Sequence, residues 1–376
     1  MAQKSQNAQI CEILRRHVTL SGVAPAAAAG YVGASVSAAP VYGAAGALPE
    51  GEASPDTLFD LASVSKPIVA CTLLRLVARA ELDLRAPLGA LLDEARGTAS
   101  EHAPLELLLA HRAGLEAHRA LFAPLFAGRA VVKRDALRAA ASARRADCPG
   151  AAPTAGFPPV YSDLGYVLLG AALEQVKGQP LEQIVEQEVT LPLGLALGSA
   201  RQLRHRRASF ARDVAPTEVV RARGGCVRGV VHDENAWALS GHGVSGHAGL
   251  FGTVHDVLGF GAALLQALSG RSSWLARDTL WTLVRPRPGG TLRAGFDGKS
   301  EGVSSAGALS GPETFGHLGF TGTSLWCDPG AGLASVLLTN RVHPTRENPR
   351  IRAARPLVHD ALFMAAKALL PEAPDP

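Results

Sequence analysis

The chain contains 376 residues, of which 47% are hydrophobic and 19% are charged. This length and composition are typical of a folded globular protein with one large domain or two, and they exclude a disordered chain. The formal net charge of +4 is small and spread along the chain, which argues against a nucleic-acid-binding protein.

The five cysteines and the N-terminal segment bear on the cellular compartment. Cys11, Cys71, Cys148, Cys226 and Cys327 are widely scattered and include no CxxC pair, so they predict neither a zinc site nor a disulfide framework. The N-terminal segment lacks the apolar stretch of a secretory signal, and no apolar run is long enough to cross a membrane. We therefore expect a cytoplasmic protein without a membrane partner, or a periplasmic one if a signal peptide has been removed.

The first part of the chain predicts a helix, two strands and a buried helix. Residues 8–20 place Ile10, Ile13 and Leu14 on one helical face. Apolar runs interrupted by glycine over residues 29–47 predict two short strands joined by a turn. The apolar stretch after Ser63 predicts a buried helix, and Pro67 fits in its first turn, where a missing N–H does no harm.

Residues 85–245 show mainly helical patterns separated by loops that contain proline and glycine. One of these helices is predicted to end near His111, with Gly114 as the left-handed residue after it. The densest basic stretch, residues 201–212, is predicted to be a solvated helix face or loop. Thr253 and Asp256 have the spacing of a capping box that opens another helix.

The last part of the chain returns to strand patterns, over residues 316–328 and 331–341, and closes with an amphipathic helix over residues 356–370. Strands at both ends of the chain with helices between them predict one α+β domain. In this domain an antiparallel sheet is flanked by helices, and a mainly helical region is inserted between the two parts of the chain that form the sheet. The predicted sheet region covers about residues 1–75 and 246–376, and the helical region about residues 76–245.

Ser63 and Lys66 form a Ser-x-x-Lys motif at the start of the predicted buried helix. Residues three apart share a helical face, so the lysine amine can reach the serine hydroxyl. A serine becomes a nucleophile when a neighbour accepts its proton, and a lysine can do so if burial lowers its pKa toward neutrality. The structural alternative is an N-cap serine followed by a surface lysine.

Two further segments carry polar groups beside predicted elements. Tyr161-Ser162-Asp163 precedes an apolar helix, and residues 317–323, HLGFTGT, begin a strand-like run. In order and spacing, the three segments resemble the Ser-x-x-Lys, Tyr-x-Asn and Lys-Thr-Gly motifs of penicillin-binding proteins, class C β-lactamases and family VIII-type esterases. The flanks LFDLASVSKP, LLLAHRAGL, VSGHAGLFGT and VLLTNRVHP are similar too, so the resemblance covers about residues 50–345.

The resemblance implies a β-lactamase/transpeptidase-like fold with its active site in a cleft between the sheet and the helical region. It implies that Ser63 is acylated, with Lys66 as its proton acceptor or electrostatic partner. Tyr161 would be the companion base, or the acid that protonates the leaving group, and a phenol near an ammonium can have a lowered pKa. The oxyanion would bind the backbone N–H groups of Ser63 and Phe320, the latter just after Gly319, which matches the glycine of Lys-Thr-Gly.

Three positions depart from the family motifs. Asp163 stands where the relatives have an amide, and a carboxylate only accepts hydrogen bonds and favours the charged form of Lys66. His317 and Leu318 stand where the relatives have a lysine and a threonine that hold a substrate carboxylate. Histidine can be uncharged at neutral pH and leucine has no hydroxyl, so we expect weak binding of anionic substrates.

Histidines and acidic residues also cluster in residues 232–235 and 242–247. Their spacing matches no recognised metal site, so we expect neither a metal nor a cofactor. The glycine-rich segment 242–249 is predicted to be a loop lining the cleft. His247 and Asn235 could touch the substrate or serve loop packing, and the role of Asp233 stays open. Residues 243–246 lack the Gly-x-Ser-x-Gly spacing of a different hydrolase fold.

The predicted function is acyl-enzyme hydrolysis of a small-molecule ester, amide or β-lactam, with esterase-like activity favoured. A true class C β-lactamase and a D-alanyl or D-amino-acid peptidase are the alternative enzymes. A binding or sensor module that is acylated without turnover, or an inactive relative, belongs to a different class. The presence of Ser63, Lys66 and Tyr161 argues against an inactive relative, but it does not address deacylation. The oligomeric state does not follow from the sequence.

Overall fold

A computed structural model describes residues 2–35 and 39–368 of the protein. It contains both strands and helices, as the α+β prediction requires. The strands are β1 (Ala26–Gly33), β2 (Val41–Leu48), β3 (Gly51–Glu52), β4 (Phe59–Asp60), β5 (Gly198–Ser199), β6 (Val219–Val220), β7 (Gly225–Cys226), β8 (Leu250–Gly252), β9 (Asp297–Gly298), β10 (Phe315–Leu318), β11 (Ser324–Asp328) and β12 (Leu333–Thr339).

The helices lie before, between and after these strands. They are α1 (Ala2–Leu14), α2 (Ser65–Ala78), α3 (Leu88–Leu91), α4 (Leu105–Leu109), α5 (Ala123–Phe126), α6 (Lys133–Ala141), α7 (Asp163–Lys177), α8 (Leu181–Val185), α9 (Leu191–Leu193), α10 (Ala200–Arg206), α11 (Phe210–Asp213), α12 (Glu234–Ser240), α13 (Val254–Leu268), α14 (Arg277–Val284) and α15 (Ile351–Lys367). Among the described residues, no helix is long and apolar enough to cross a bilayer.

The main sheet joins the two ends of the chain, as predicted. Over the described residues it has seven antiparallel strands in the order β3-β2-β1-β12-β11-β10-β9. In the middle of β1, Ala29 lies opposite Gly43 of β2 and Leu337 of β12. Two small sheets, β4-β8-β5 and β6-β7, lie outside it. The division into a sheet region, about residues 1–75 and 246–376, and a helical region, about residues 76–245, stays a prediction.

Side chains that alternate along β1 belong to two different hydrophobic clusters. Ala27 and Ala29 pack with α1 and α15, whereas Ala26 and Ala28 pack in the larger cluster that includes α2, α7 and α13. This alternation follows from the two-residue period of a strand. The sheet therefore has helices on both faces, and the α2 side of the sheet lies toward the helical part of the chain.

Several predicted elements are found where the sequence placed them. Ile10 and Leu14 of α1 are fully buried, and α1 begins at Ala2, before the predicted start. Thr253 and Asp256 form a reciprocal capping box at the start of α13. The closing helix α15 begins at Ile351 and contains Pro356. The prediction for residues 369 and 370 lies outside the described residues.

The prediction for the loop after α4 was wrong in one respect. The helix ends at Leu109, and the left-handed residue that follows is His111, with a φ of 58°. Gly114 is also left-handed, with a φ of 73°, but it lies farther along the loop. A Cβ at Gly114 would lie 2.7 Å from the ring of Phe157. Packing in the loop, rather than termination of the helix, therefore requires glycine at this position.

Candidate active site

Ser63 lies at a strained turn between β4 and α2. Ala62, the residue before it, has a φ of 48°, and its N–H donates to Oδ1 of the buried Asp60 at 2.8 Å. Residues Ala62–Val64 form one 3-10 turn, and α2 begins at Ser65. A left-handed backbone at a residue other than glycine is unfavourable and is common at functional sites. The turn leaves the Ser63 side chain partly exposed at the head of a buried helix.

Lys66 lies directly beneath Ser63 and is fully buried. Its Nζ donates to Ser63 Oγ at 2.9 Å, to Asp163 Oδ1 at 2.7 Å and to the backbone oxygen of His247 at 3.4 Å. Three oxygen acceptors thus surround an ammonium group that has three N–H donors. The surface-lysine alternative is therefore wrong, and the geometry is that of a charged lysine.

The pKa of Lys66 contradicts one sequence-based expectation. Burial acts to lower this pKa, but the carboxylate of Asp163 and the phenol of Tyr161 attract the ammonium and raise it above the usual lysine value. Burial also opposes ionisation of Asp163, yet Lys66 holds the pKa of that carboxyl below its usual value. The two groups thus form a buried ion pair, in which Lys66 has no free electron pair to accept a proton.

Tyr161 precedes α7 and is placed against both Lys66 and Ser63. Lys66 Nζ lies 4.8 Å from the centre of the Tyr161 ring. Burial raises the pKa of the phenol above its usual value, and this effect outweighs the lowering by Lys66 and by hydrogen bonds with Lys66 and Ser63. The expectation of a lowered phenol pKa is therefore wrong, because burial opposes ionisation of Tyr161 more strongly than Lys66 favours it, and the Asp163 charge raises the pKa further.

The residues singled out from the three motifs meet at one cleft of about 910 Å³. Lys66 lies beneath the cleft, in contact with Ser63. The cleft wall includes, from distant parts of the chain, Ser63, Tyr161, Asp163, His317, Leu318, Gly319 and Phe320. The predicted glycine-rich loop also reaches this cleft through Ala248.

The turn between β10 and β11 brings Phe320 close to the Ser63 turn. Thr321 Oγ1 donates to the backbone oxygen of Asp60 at 2.7 Å, and Thr323 Oγ1 donates to that of Leu61 at 2.9 Å. A Cβ at Gly319 would lie 1.9 Å from Thr323 Oγ1 and 2.6 Å from the Leu61 oxygen, so only glycine fits there. Within the described residues, the backbone N–H groups of Ser63 and Phe320 donate to no other group. These two free donors are available to an oxyanion.

His317 is buried. This burial is the main cause that lowers its pKa to about 3, and repulsion from Lys66 is the second cause. Its Nδ1 lies 2.8 Å from the backbone oxygen of Leu318, which can only accept, so Nδ1 carries the proton and the neutral ring has its lone pair on Nε2. His317 is therefore uncharged at neutral pH. It supplies no permanent positive charge to the cleft, as the sequence suggested.

Three residues whose roles the sequence left open have defined contacts. His247 Nε2 lies 2.7 Å from Asp233 Oδ1, which also accepts the N–H of Ala236 at the start of α12. Asn235 is fully buried and bonds the backbone of Arg119 and Phe122, which is loop packing. Within residues 2–35 and 39–368, no group of three or more His, Cys, Asp or Glu side chains is arranged to hold a metal ion.

Sequence reasoning missed three groups near the predicted site. His118 Nδ1 lies 3.9 Å from Asp163 Oδ2, and the His111 ring lies 4.7 Å from the Tyr161 ring. Arg355 of α15 lines the cleft from far along the chain. His111 belongs to the flank LLLAHRAGL, which could have drawn attention to it, but no local pattern marks Arg355.

Comparison with known proteins gives one family match that covers most of the chain. The Beta-lactamase family model matches residues 12–359. A Salmonella gallinarum protein named "Putative D-alanyl-D-alanine carboxypeptidase" is 34% identical over 211 residues, which are 51% of this chain and 47% of that protein. The chain thus spans about half the length of the curated relatives it matches.

Two solved structures resemble nearly the whole chain. EstCE1, a hydrolase with promiscuous acyltransferase activity, has a TM-score of 0.71 and 20% identity, over 96% of this chain and 99% of that one. The D-amino acid amidase from Ochrobactrum anthropi SV3, complexed with L-phenylalanine amide, has a TM-score of 0.69 and 20% identity. This likeness covers 97% of this chain and 99% of that one. These likenesses confirm the predicted β-lactamase/transpeptidase-like fold.

Proposed function

Because the chain belongs to the β-lactamase family, we propose that it is a serine hydrolase that forms an acyl-enzyme on Ser63 and hydrolyses a small ester or amide. The observation that carries this proposal is the 2.9 Å contact between Lys66 Nζ and Ser63 Oγ at the bottom of the cleft. The backbone N–H groups of Ser63 and Phe320, which have no acceptor among the described residues, support the same proposal.

Lys66 serves in this proposal as a fixed positive charge. Its ammonium donates to Ser63 Oγ and so stabilises the alkoxide that attacks the acyl carbon. Asp163 keeps that ammonium charged, so a different group must take the serine proton. Tyr161 is within hydrogen-bonding reach of Ser63. Its phenolate form accepts the proton, and the resulting phenol returns it to the leaving group.

The oxyanion of the tetrahedral intermediate lies, in this proposal, against the N–H groups of Ser63 and Phe320. Such donors are effective because they are held in place before the charge develops. The bonds from Thr321 and Thr323 to residues 60 and 61 fix the two donors relative to each other. Gly319 permits this close approach, so its role is to position Phe320.

We expect the rate to rise with pH, because Tyr161 must be ionised to accept the proton and its pKa lies above the usual phenol value. Below that pKa, the phenolate fraction grows about tenfold per pH unit, so kcat/KM for an ester should rise steeply between about pH 7 and about pH 9. Initial rates, corrected for spontaneous hydrolysis, measure this slope. The Tyr161→Phe variant is the control and should lose it. A plateau already reached near neutral pH would assign the proton to a group of lower pKa.

The departures at Asp163, His317 and Leu318 favour esters over β-lactams as substrates. Each lost charge-assisted hydrogen bond costs about 1.5–3 kcal/mol, which is one to two decades in rate or affinity. We expect short-chain nitrophenyl esters to be hydrolysed more efficiently than cephalosporins by the purified protein. In the Asp163→Asn, His317→Lys double variant, the ratio of cephalosporin to ester turnover should rise. Equal efficiency of the wild type on both substrates would contradict this assignment.

A second candidate function, a D-amino-acid peptidase, is favoured by Arg355. This buried guanidinium donates from Nη2 to the backbone oxygens of Gly319 and Thr323, at 2.7 and 3.0 Å. Burial is the main cause that lowers the pKa of Arg355 to about 10, and repulsion from Arg341 adds to it. The side chain is therefore charged at neutral pH. No carboxylate of the described residues forms an ion pair with it. A substrate carboxylate could bind there, and faster cleavage of D-alanyl peptides than of esters would select this function.

An acylated sensor is distinguished from an enzyme by turnover. A hydrolase should release many equivalents of nitrophenol per protein molecule, because water cleaves the acyl-enzyme after each cycle. A sensor would release about one equivalent and then stop, with the acyl group retained on Ser63. Stopped-flow release of nitrophenol, together with intact mass after the reaction, separates the two functions.

A further inference from the structure

We propose that His111 is the positioning residue of Tyr161, which fixes the phenol against Ser63 and Lys66. This inference rests on the proposed function and goes beyond it, since His111 touches neither Ser63 nor Lys66 in the observed hydrogen bonds. Two kinds of contact carry it: hydrogen bonds to the residues on both sides of Tyr161, and packing of the imidazole on the phenol ring.

The hydrogen bonds hold the backbone of Tyr161 from both sides. The backbone oxygen of His111 accepts the N–H of Val160 at 3.1 Å, and its Nδ1 accepts the N–H of Ser162 at 3.0 Å. The residues before and after Tyr161 are thus held by a single residue. Because the bond to Ser162 is buried, losing it would leave an unpaired N–H and cost about 1–3 kcal/mol.

The imidazole also restricts the rotation of the Tyr161 side chain. The two ring centres are 4.7 Å apart, with an angle of 32° between the planes. The centre of the His317 ring also lies 5.8 Å from that of Tyr161. An aromatic contact of this kind limits the ring to a narrow range of orientations, and it directs the hydroxyl toward the serine and the lysine.

The protonation state of His111 fits this role. The Ser162 N–H occupies the Nδ1 lone pair, so the single proton of the neutral ring is on Nε2. Burial is the main cause that lowers the pKa of His111 to about 3, and repulsion from Lys66 adds to it. The ring is therefore neutral at working pH and adds no charge beside the buried Lys66. It acts by contact and not by proton transfer.

The backbone of His111 indicates that its side chain is needed. Its φ of 58° is a conformation that favours glycine and is unfavourable for histidine by about 1–2 kcal/mol. Glycine would relieve that strain but would remove both the Nδ1 acceptor and the ring. Two other bonds from the same loop also hold the segment after Tyr161: Ser162 Oγ donates to the Glu116 oxygen at 2.6 Å, and the Asp163 N–H donates to the Ala117 oxygen at 3.0 Å.

Variants of His111 test this role through kcat and KM. The His111→Leu variant keeps the bulk but loses the acceptor and the ring, and we expect kcat to fall about 30-fold or more with KM changed by less than about threefold. The His111→Asn variant tolerates a left-handed backbone and keeps an acceptor oxygen near the position of Nδ1, so it should recover part of kcat. Glu116→Ala is the matched control, because only its backbone bonds Ser162, and it should keep kcat within about twofold.

A double-mutant cycle with Tyr161→Phe decides between positioning and general structural support. If His111 acts through the phenol, His111→Leu should cost less than about twofold in the Tyr161→Phe background. An undiminished loss in that background would overturn the inference while leaving the proposed function intact. If Tyr161→Phe alone changes neither ester turnover nor the rate of Ser63 labelling by a fluorophosphonate, the proposed function itself fails. Melting temperatures of all variants identify any that do not fold.

Discussion

Replacing Ser63 with alanine should lower kcat for a short-chain ester on the order of 10⁴-fold or more, because the described residues that line the cleft include no other serine, threonine or cysteine. The N–H groups of residues 63 and 320 remain in the variant, so a small residual rate above that of water is expected. Alanine should leave the fold intact, because the Ser63 side chain is partly exposed and its observed partner is Lys66. Steady-state kinetics with melting temperatures measure both effects.

Covalent labelling gives an independent readout of the same assignment. A fluorophosphonate should modify Ser63 alone in the wild type and nothing in the Ser63→Ala variant. The matched control is Ser245→Ala, in the glycine-rich loop, where Ser245 bonds Ala248 through its backbone. This control should keep activity and labelling. Modification of another serine with Ser63 untouched, as mapped by peptide mass, would show that the nucleophile is misassigned.

Lys66→Met and Tyr161→Phe should each lower kcat/KM by about 10²–10⁴-fold, and the double variant should be little worse than the poorer single one. The reason is that both side chains act on one proton of Ser63 and on the charge that its removal leaves. Lys66→Met also removes the partner of Asp163, a carboxylate that is 22% exposed. It should therefore reduce stability more than Tyr161→Phe does.

A control for the charge of Lys66 is available in the chain. Lys177 pairs with Glu81 at a more exposed site, with 2.6 Å between Nζ and Oε2. The Lys177→Met variant removes the same charge away from the cleft, and it should keep kcat/KM within about twofold. Strictly multiplicative losses in the Lys66→Met, Tyr161→Phe double variant would mean that the two residues act in separate steps. Measurements at the pH of maximal wild-type activity make the comparison fair.

The sequence alone predicted most of the secondary-structure elements and most of the residues that meet at the candidate site. Local periodicity was enough to predict α1, the strand pairs at both ends of the chain and the buried helix after Ser63. The reason is that the spacing of hydrophobic residues shows which side chains face the core. The Ser-x-x-Lys spacing was enough to place Lys66 against Ser63, since a helical turn brings residues three apart together. The order of the three motifs predicted the family, and the family match over residues 12–359 confirms this prediction.

Only the tertiary structure decided the charge states and the supports of the site. The pKa directions of Lys66 and Tyr161 depend on how burial competes with Asp163, and no local pattern contains that balance. The pair of free N–H groups depends on bonds between residues 60–61 and 321–323, which are about 260 positions apart. The left-handed turn at His111 and the burial of Arg355 without an ion pair to any described residue likewise depend on contacts between distant segments, because burial and electrostatics depend on distance in space and not on distance along the chain.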